Sequence, residues 1–129
     1  MRDYERAMLV YLELAALSHE KRQQFGRDRF LVLGGAAACR AGWPDVADRC
    51  RIIVSAGNRS HLLARFGSFV EAMRDAQFTP LVAQLERMCP YETAEALLGG
   101  QGVSADGLRR EDETAGDAAE RLLERIAAP

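Results

Sequence analysis

The chain has 129 residues, of which 48% are hydrophobic and 28% charged, and 19 acidic against 17 basic side chains give a formal net charge of -2. A single domain of this length buries enough surface to fold without a disulfide or a structural metal. The charge balance argues against a nucleic-acid footprint or a membrane-surface protein, and the most apolar stretch, residues 30–39, is about half a membrane span.

Tyr4, Met8, Tyr11, Leu12 and Ala15 recur at helical spacing and predict a first helix over 3–22. Leu9, Leu14 and Leu17 widen its apolar face, so two neighbours are expected to cover it. Phe25-Gly26 punctuates the pattern, with Phe25 expected in the core. A second helix follows over 28–41, with Asp28 as its N-cap. Its stretch 30–39 carries no charge, and six of those ten residues are Gly, Ala or Cys. Such slight side chains admit a close neighbour, so this helix is expected at the centre. Gly34 and Gly35 each cost about 1 kcal/mol of helix propensity, which tight backbone packing offsets. A phosphate-binding loop there lacks both a preceding strand and the G-x-G-x-x-G spacing.

Gly42 suits the left-handed position after a helix, Pro44 the first turn of the next, and Asp45 its positive end. That third helix is expected to run to Ala56 and to bury Val46, Cys50, Ile53 and Val54. Residues 60–66 read as a short helical turn. Ser68 with Glu71 forms a capping-box pattern that opens a helix to Ala76, with Phe69, Val70 and Met73 inward. Thr79-Pro80 starts a helix to Cys89 that buries Leu81, Val82, Leu85 and Met88. Pro90 breaks it and begins another over 91–98, stopped by Gly99-Gly100. The predicted organisation is a helical-hairpin domain over 1–99, a Gly-rich linker over 100–116 and a C-terminal amphipathic helix over 117–129. From Gly99 onward seven acidic and four basic residues place the net negative charge in the tail. The fold class expected is all-α, with five to seven helices in stacked hairpins, either as a regular repeat or as an irregular helical bundle.

Shifting the chain by 36 residues aligns Arg29, Phe30, Ala36, Pro44, Val46, Ala47 and Arg51 with Arg65, Phe66, Ala72, Pro80, Val82, Ala83 and Arg87. A period in the thirties is the signature of stacked helical hairpins. Gly35, Gly42 and Ala47 fall at the small-residue spacing of the tetratricopeptide repeat, with apolar Leu31 and Val54 at permissive positions. The first hairpin therefore resembles that family over about 30 residues, although Ala38 and Arg51 replace its aromatics and Arg59 its closing proline. The resemblance implies a protein-interaction scaffold whose concave surface includes Arg29, Val32, Ala36, Cys39 and Arg40. Its two arginines would suit a carboxylate or an acidic peptide.

No constellation in the chain specifies a reaction, a cofactor or a metal site. Cys39, Cys50 and Cys89 are odd in number, lack Cys-x-x-Cys spacing and read as small buried hydrophobes in a reducing cytoplasm. Ser60-His61 is no dyad, because adjacent helical residues diverge by about 100°. Asp45 and Arg49 are spaced for an i,i+4 pair. Glu92 and Glu95 read as helix-face charges. Trp43 lies in a turn, where it either covers the hairpin or anchors a contact. The terminal helix is expected in a groove of its own body or of a partner, and the mixed signs of Glu120, Arg121, Glu124 and Arg125 speak against an anionic membrane.

The start Met-Arg-Asp-Tyr-Glu shows no apolar run behind a basic residue, which predicts a cytoplasmic protein. Lys21 is the only lysine, an arginine bias expected of a GC-rich bacterial genome. The function expected is a noncatalytic protein–protein interaction module binding a protein or peptide through Arg29, Val32, Arg40 and Trp43. The alternative is a nucleic-acid-associated regulator using the basic segment from Lys21 to Arg29.

Overall fold

The computed structural model describes residues 3–127, which are all-helical and contain no strand. The Asp3 carboxylate accepts the Arg6 N–H at 2.9 Å and opens α1, Tyr4–Glu20. Arg22, at φ 59°, turns the chain into α2, Gln24–Ala41. This helix starts one turn before the expected Asp28. Gly26 does not break it. Instead it faces α1, and a Cβ there would meet Ser18 Oγ at 3.6 Å. Phe25 lies about 100° round from Gly26 and is 85% exposed, not core. Asp28 is buried inside the helix rather than capping it, and pairs with Arg27 at 2.9 Å.

Gly42 adopts φ 85°, and the Trp43 N–H reaches back to the Ala38 carbonyl at 2.8 Å. Pro44 then begins α3, Pro44–Gly57, where its missing N–H leaves no bond unmade. A 3-10 turn at Leu62–Arg65 leads to α4, Phe69–Ala72. The Ser68 hydroxyl accepts the Glu71 N–H at 3.1 Å, and the Glu71 carboxylate reaches back to the Gly67 N–H at 3.1 Å. This helix ends before Ala76 because Asp75 becomes the next cap. Its Oδ2 accepts the N–H groups of Gln77 and Phe78 at 2.8 and 3.0 Å. Hence α5, Phe78–Met88, begins ahead of Thr79, the cap expected from sequence.

Met88 is 59% exposed, against its expected burial. The chain leaves the helix there, and the neighbouring Cys89 carbonyl is drawn inward instead, by the Tyr11 hydroxyl at 2.8 Å. Pro90 precedes α6, Tyr91–Gly100, which retains Gly99 and Gly100 in its last turn. Gly102, at φ 78°, follows, and the Val103 N–H returns to the Leu98 carbonyl at 3.0 Å. The segment after α6 holds a 3-10 turn at Ala105–Gly107 and a buried Leu108, whose carbonyl accepts from Arg121 at 2.8 Å. The last helix, α7, is Ala115–Ala127.

The seven helices surround one core. Helix α1 packs on α2, α6 and α7, while α2 also meets α3, α4 and α5, and α7 touches α3. Residues 31–38 of α2 are all buried, as the small-residue run predicts. A Cβ on Gly34 would lie 2.8 Å from Leu12 Cδ2, and one on Gly35 would lie 2.7 Å from Phe69 Cζ. These two glycines thus set how closely α1 and α4 approach α2. Phe69 packs edge-on to Phe78, with ring centres 5.6 Å apart, and its full burial contributes roughly 1.5–3 kcal/mol. Among the described residues no helix is long and apolar enough to cross a membrane.

A tyrosine-lined binding cleft

An open cleft of about 450 Å³ lies where the first half of α1 meets the second half of α2 and the α5–α6 corner. Tyr4 and Tyr11 are seven residues apart on α1 and so project from one side of that helix. Tyr91 comes from the first turn of α6. All three tyrosines of the chain therefore line one space. Leu33, Ala37 and Pro90 supply apolar wall, and the charged lining comprises Arg6, Arg40, Asp3, Glu86 and Glu92.

Two of the three phenolic oxygens, those of Tyr11 and Tyr91, are already engaged. The Tyr11 hydroxyl donates to the Cys89 carbonyl at 2.8 Å. The Tyr91 hydroxyl donates to Glu95 at 2.5 Å and accepts from Arg6 Nε at 2.7 Å. Burial pushes the Tyr11 phenol up from its ordinary pKa, and the negative charge of Glu86 and Glu92 pushes it the same way, against the weaker pull of Arg40. The Tyr91 phenol is also raised, by burial first and then by its bond to Glu95. Both stay protonated at neutral pH and act as fixed struts, Tyr11 from within the core at 5% exposure and Tyr91 half-buried.

The arginines are engaged as well. Arg40 meets Glu86 through two bonds, at 2.7 and 3.4 Å, with its guanidinium carbon 5.9 Å from the centre of the Tyr4 ring. Arg6 bonds Asp106 at 2.6 Å and lies 3.4 Å from Glu95. The bond to Asp106, followed by that to Tyr91, raises the Arg6 guanidinium above its ordinary pKa and keeps it charged.

The four residues expected to bind a partner do not form one surface. Arg40 lines the cleft, and Arg29 is exposed elsewhere along α2. Val32 is only 1% exposed and inaccessible to any partner, because α2 is covered along residues 31–38. Ala36 is buried with it. Trp43 takes the covering role. Its ring lies over Gly116 of α7, with Cη2 2.9 Å from where a Cβ would stand, and its indole N–H donates to Glu5 at 2.7 Å. The core stripe expected on α1 does hold Tyr11, at 5% exposure, while Tyr4 is half-buried, and the sequence reading did not single out Arg6, Glu86 or Tyr91. The seven-residue spacing of Tyr4 and Tyr11 was the available signal. The elements that complete the cleft come from 80 residues further on, beyond the reach of local pattern.

The remaining candidates resolve locally. In the basic segment, Arg27 is held by the buried Asp28, and Lys21 bonds Gln101 at 2.9 Å. The Ser60 hydroxyl donates to Asn58 at 2.9 Å, while His61 Nδ1 accepts the Leu63 N–H at 3.1 Å, so the two side chains act separately. Arg49 does not pair with Asp45. It crosses instead to Glu120 and Glu124 of α7, which lies against α3. Cys39, Cys50 and Cys89 are free thiols. Among the described residues no group of three His, Cys, Asp or Glu is arranged to hold a metal ion. No protein-family model, no curated protein and no solved structure matches the chain.

Proposed function

We propose that this chain is a noncatalytic protein–protein interaction module and that a peptide of its partner docks in the tyrosine-lined cleft. The observation that carries this reading is the convergence of Tyr4, Tyr11 and Tyr91, from two distant segments, on one open space beside two arginines. Tyrosine and arginine are enriched where interfaces concentrate binding energy, tyrosine because its ring buries large area at low entropic cost. The phenolic bonds hold Tyr11 and Tyr91 in place before any ligand arrives, which lowers the cost of ordering them on binding. The lining contains phenols, guanidiniums and carboxylates but no serine, cysteine or histidine, a set suited to stacking and hydrogen bonding. The three free thiols support a reducing, cytoplasmic setting.

The test is partner capture by the wild-type chain, by Tyr4→Ala and by Ile52→Asp. Ile52 is an exposed apolar residue of α3 outside the cleft. The expected result is that Tyr4→Ala loses a partner that Ile52→Asp retains. Equal retention by both variants, or turnover of a small molecule abolished by Tyr4→Ala, overturns the reading.

A further inference from the structure

We infer that the end of the bundle where α1 turns into α2 binds single-stranded nucleic acid, with a base on the Phe25 ring and phosphates on Arg22, Arg29 and Arg59. This surface is separate from the cleft and independent of its reading. Phe25 and the cleft residue Ala37 are twelve positions apart on α2, about 18 Å along its axis.

The whole-chain charge conceals a local excess. Residues 19–29 and 57–61 hold Lys21, Arg22, Arg27, Arg29 and Arg59 against two carboxylates, Glu20 and Asp28. Both carboxylates are matched, Asp28 by Arg27 at 2.9 Å and Glu20 by Arg125 at 2.6 Å. Arg22, Arg29 and Arg59 are exposed and form no ion pair with any described residue. Lys21 bonds the neutral amide of Gln101, which leaves its charge in place. Arg22 also stands in the left-handed conformation, φ 59°, which glycine or asparagine adopts with less strain. The turn thus carries a cation at a cost to its backbone.

The fold joins these cations to an exposed ring. Gln24 Nε2 donates to the Gly57 carbonyl at 3.1 Å, and Arg27 Nη2 lies 2.8 Å from where a Cβ on Gly57 would stand. The end of α3 is thereby held against the first turn of α2, and Arg59 follows within about 8 Å of Gly57, Cα to Cα. Phe25 and Arg29 are i,i+4 on α2 and both exposed, so they share its outward face with Cβ atoms about 5–6 Å apart. Phe25 is 85% exposed and is not packed on the core. Bases stack on such a ring whatever the sequence, while the backbone phosphates follow the neighbouring cations. A duplex keeps its bases stacked inside and offers the ring nothing. An anionic membrane would ask for more apolar surface than one ring, and the exposed neighbours Gln23, Gln24 and Ser60 are polar.

The experiment follows the fluorescence anisotropy of a labelled twelve-nucleotide oligothymidylate titrated with the full chain at 50 and 200 mM NaCl. Three phosphate contacts predict a logarithmic salt slope of about -2, and so a roughly twentyfold loss of affinity between the two conditions. Arg29→Ala should flatten that slope by about 0.7. Phe25→Ala should weaken binding about fivefold or more with the slope unchanged, and Phe25→Trp should retain it. Both side chains are exposed, so none of these variants disturbs the core. Absence of binding at 50 mM NaCl, or equal binding by the wild type and Phe25→Ala, overturns the inference. So does tighter binding of a twelve-base-pair duplex, of a twelve-residue polyglutamate peptide, or of vesicles containing phosphatidylserine. The cleft reading stands or falls separately, on Tyr4→Ala.

Discussion

The ring of Phe69 occupies the space that a side chain on Gly35 would need, with Cζ 2.7 Å from an ideal Cβ. Phe69 cannot retreat, because it is fully buried and set edge-on against Phe78. Gly35→Ala should therefore destabilise the fold. Overpacking costs about 1–3 kcal/mol, which exceeds or matches the gain of about 1 kcal/mol in helix propensity. Gly99 has open space around its missing Cβ and lies in the last turn of α6. Gly99→Ala should stabilise by a few tenths of a kcal/mol, less than an interior substitution gives. Thermal unfolding by circular dichroism should show opposite signs for the two variants, and a gain in stability for Gly35→Ala would refute the packing account.

Helix α7 is fastened to α1 by Arg125, which pairs with Glu20 at 2.6 Å and with the nearly buried Glu13. Removing the guanidinium leaves the Glu13 carboxylate buried and unpaired, so Arg125→Ala should cost about 2 kcal/mol or more. Adding Glu13→Gln removes the orphaned charge and should recover part of that loss. Glu124 is exposed where it meets Arg49 at 3.1 Å, and Glu124→Ala should change stability by about 0.5 kcal/mol or less. Urea midpoints of the four proteins check the order. Equal losses for Arg125→Ala and Glu124→Ala would contradict it.

The parts of the fold that were legible are those fixed by local chemistry. The left-handed Gly42, Pro44 at a helix start and the Ser68–Glu71 cap each appear as their residue types require. The small-residue run of α2 marked the centre because only close packing offsets two adjacent glycines. What misled was a residue whose local preference yields to a neighbour. Gly26 reads as a breaker, but it lies inside α2 in ordinary contact range of Ser18 on α1, and the early start of α2 carries Phe25 outward. Arg49 has Asp45 at i,i-4, yet the docked α7 offers two carboxylates in better positions. The cleft was least legible. Arg6 bonds Tyr91 and Asp106, 85 and 100 residues away, and no periodicity reports such contacts.

His61 supplies a pH dependence with a defined sign. Burial holds its imidazole below the usual histidine range, partly opposed by the charge of Asp28. Above the ordinary value of about 6.5 the ring is neutral in both folded and unfolded chains, and stability is at its full level. As pH falls through that value the unfolded chain takes up the proton first, so stability declines until the folded ring also titrates. His61→Asn keeps an acceptor for the Leu63 N–H and removes the titration. Urea unfolding at pH 7.5 and 5.5 should show a smaller difference for the variant than for the wild type. An unchanged difference would assign the pH dependence to other groups.

The cysteines should be unreactive in the folded chain for a reason separate from compartment. A thiol reacts as its thiolate, and burial disfavours that charged form. Burial pushes Cys39 up to about 11, with the opposing pull of Arg40 insufficient to restore it. Cys50 is fully enclosed and raised further, and Cys89 is raised by burial against the weaker pull of Arg29. At pH 8 a disulfide reagent should therefore titrate all three thiols promptly only in denaturant, and in buffer should react slowly, with Cys50 last. Mass spectrometry of partly labelled protein gives the order directly. Rapid labelling of Cys50 ahead of the other two would mean that α3 opens from α2 far more readily than its packing implies, and the buried run at the centre of the fold would need a different account.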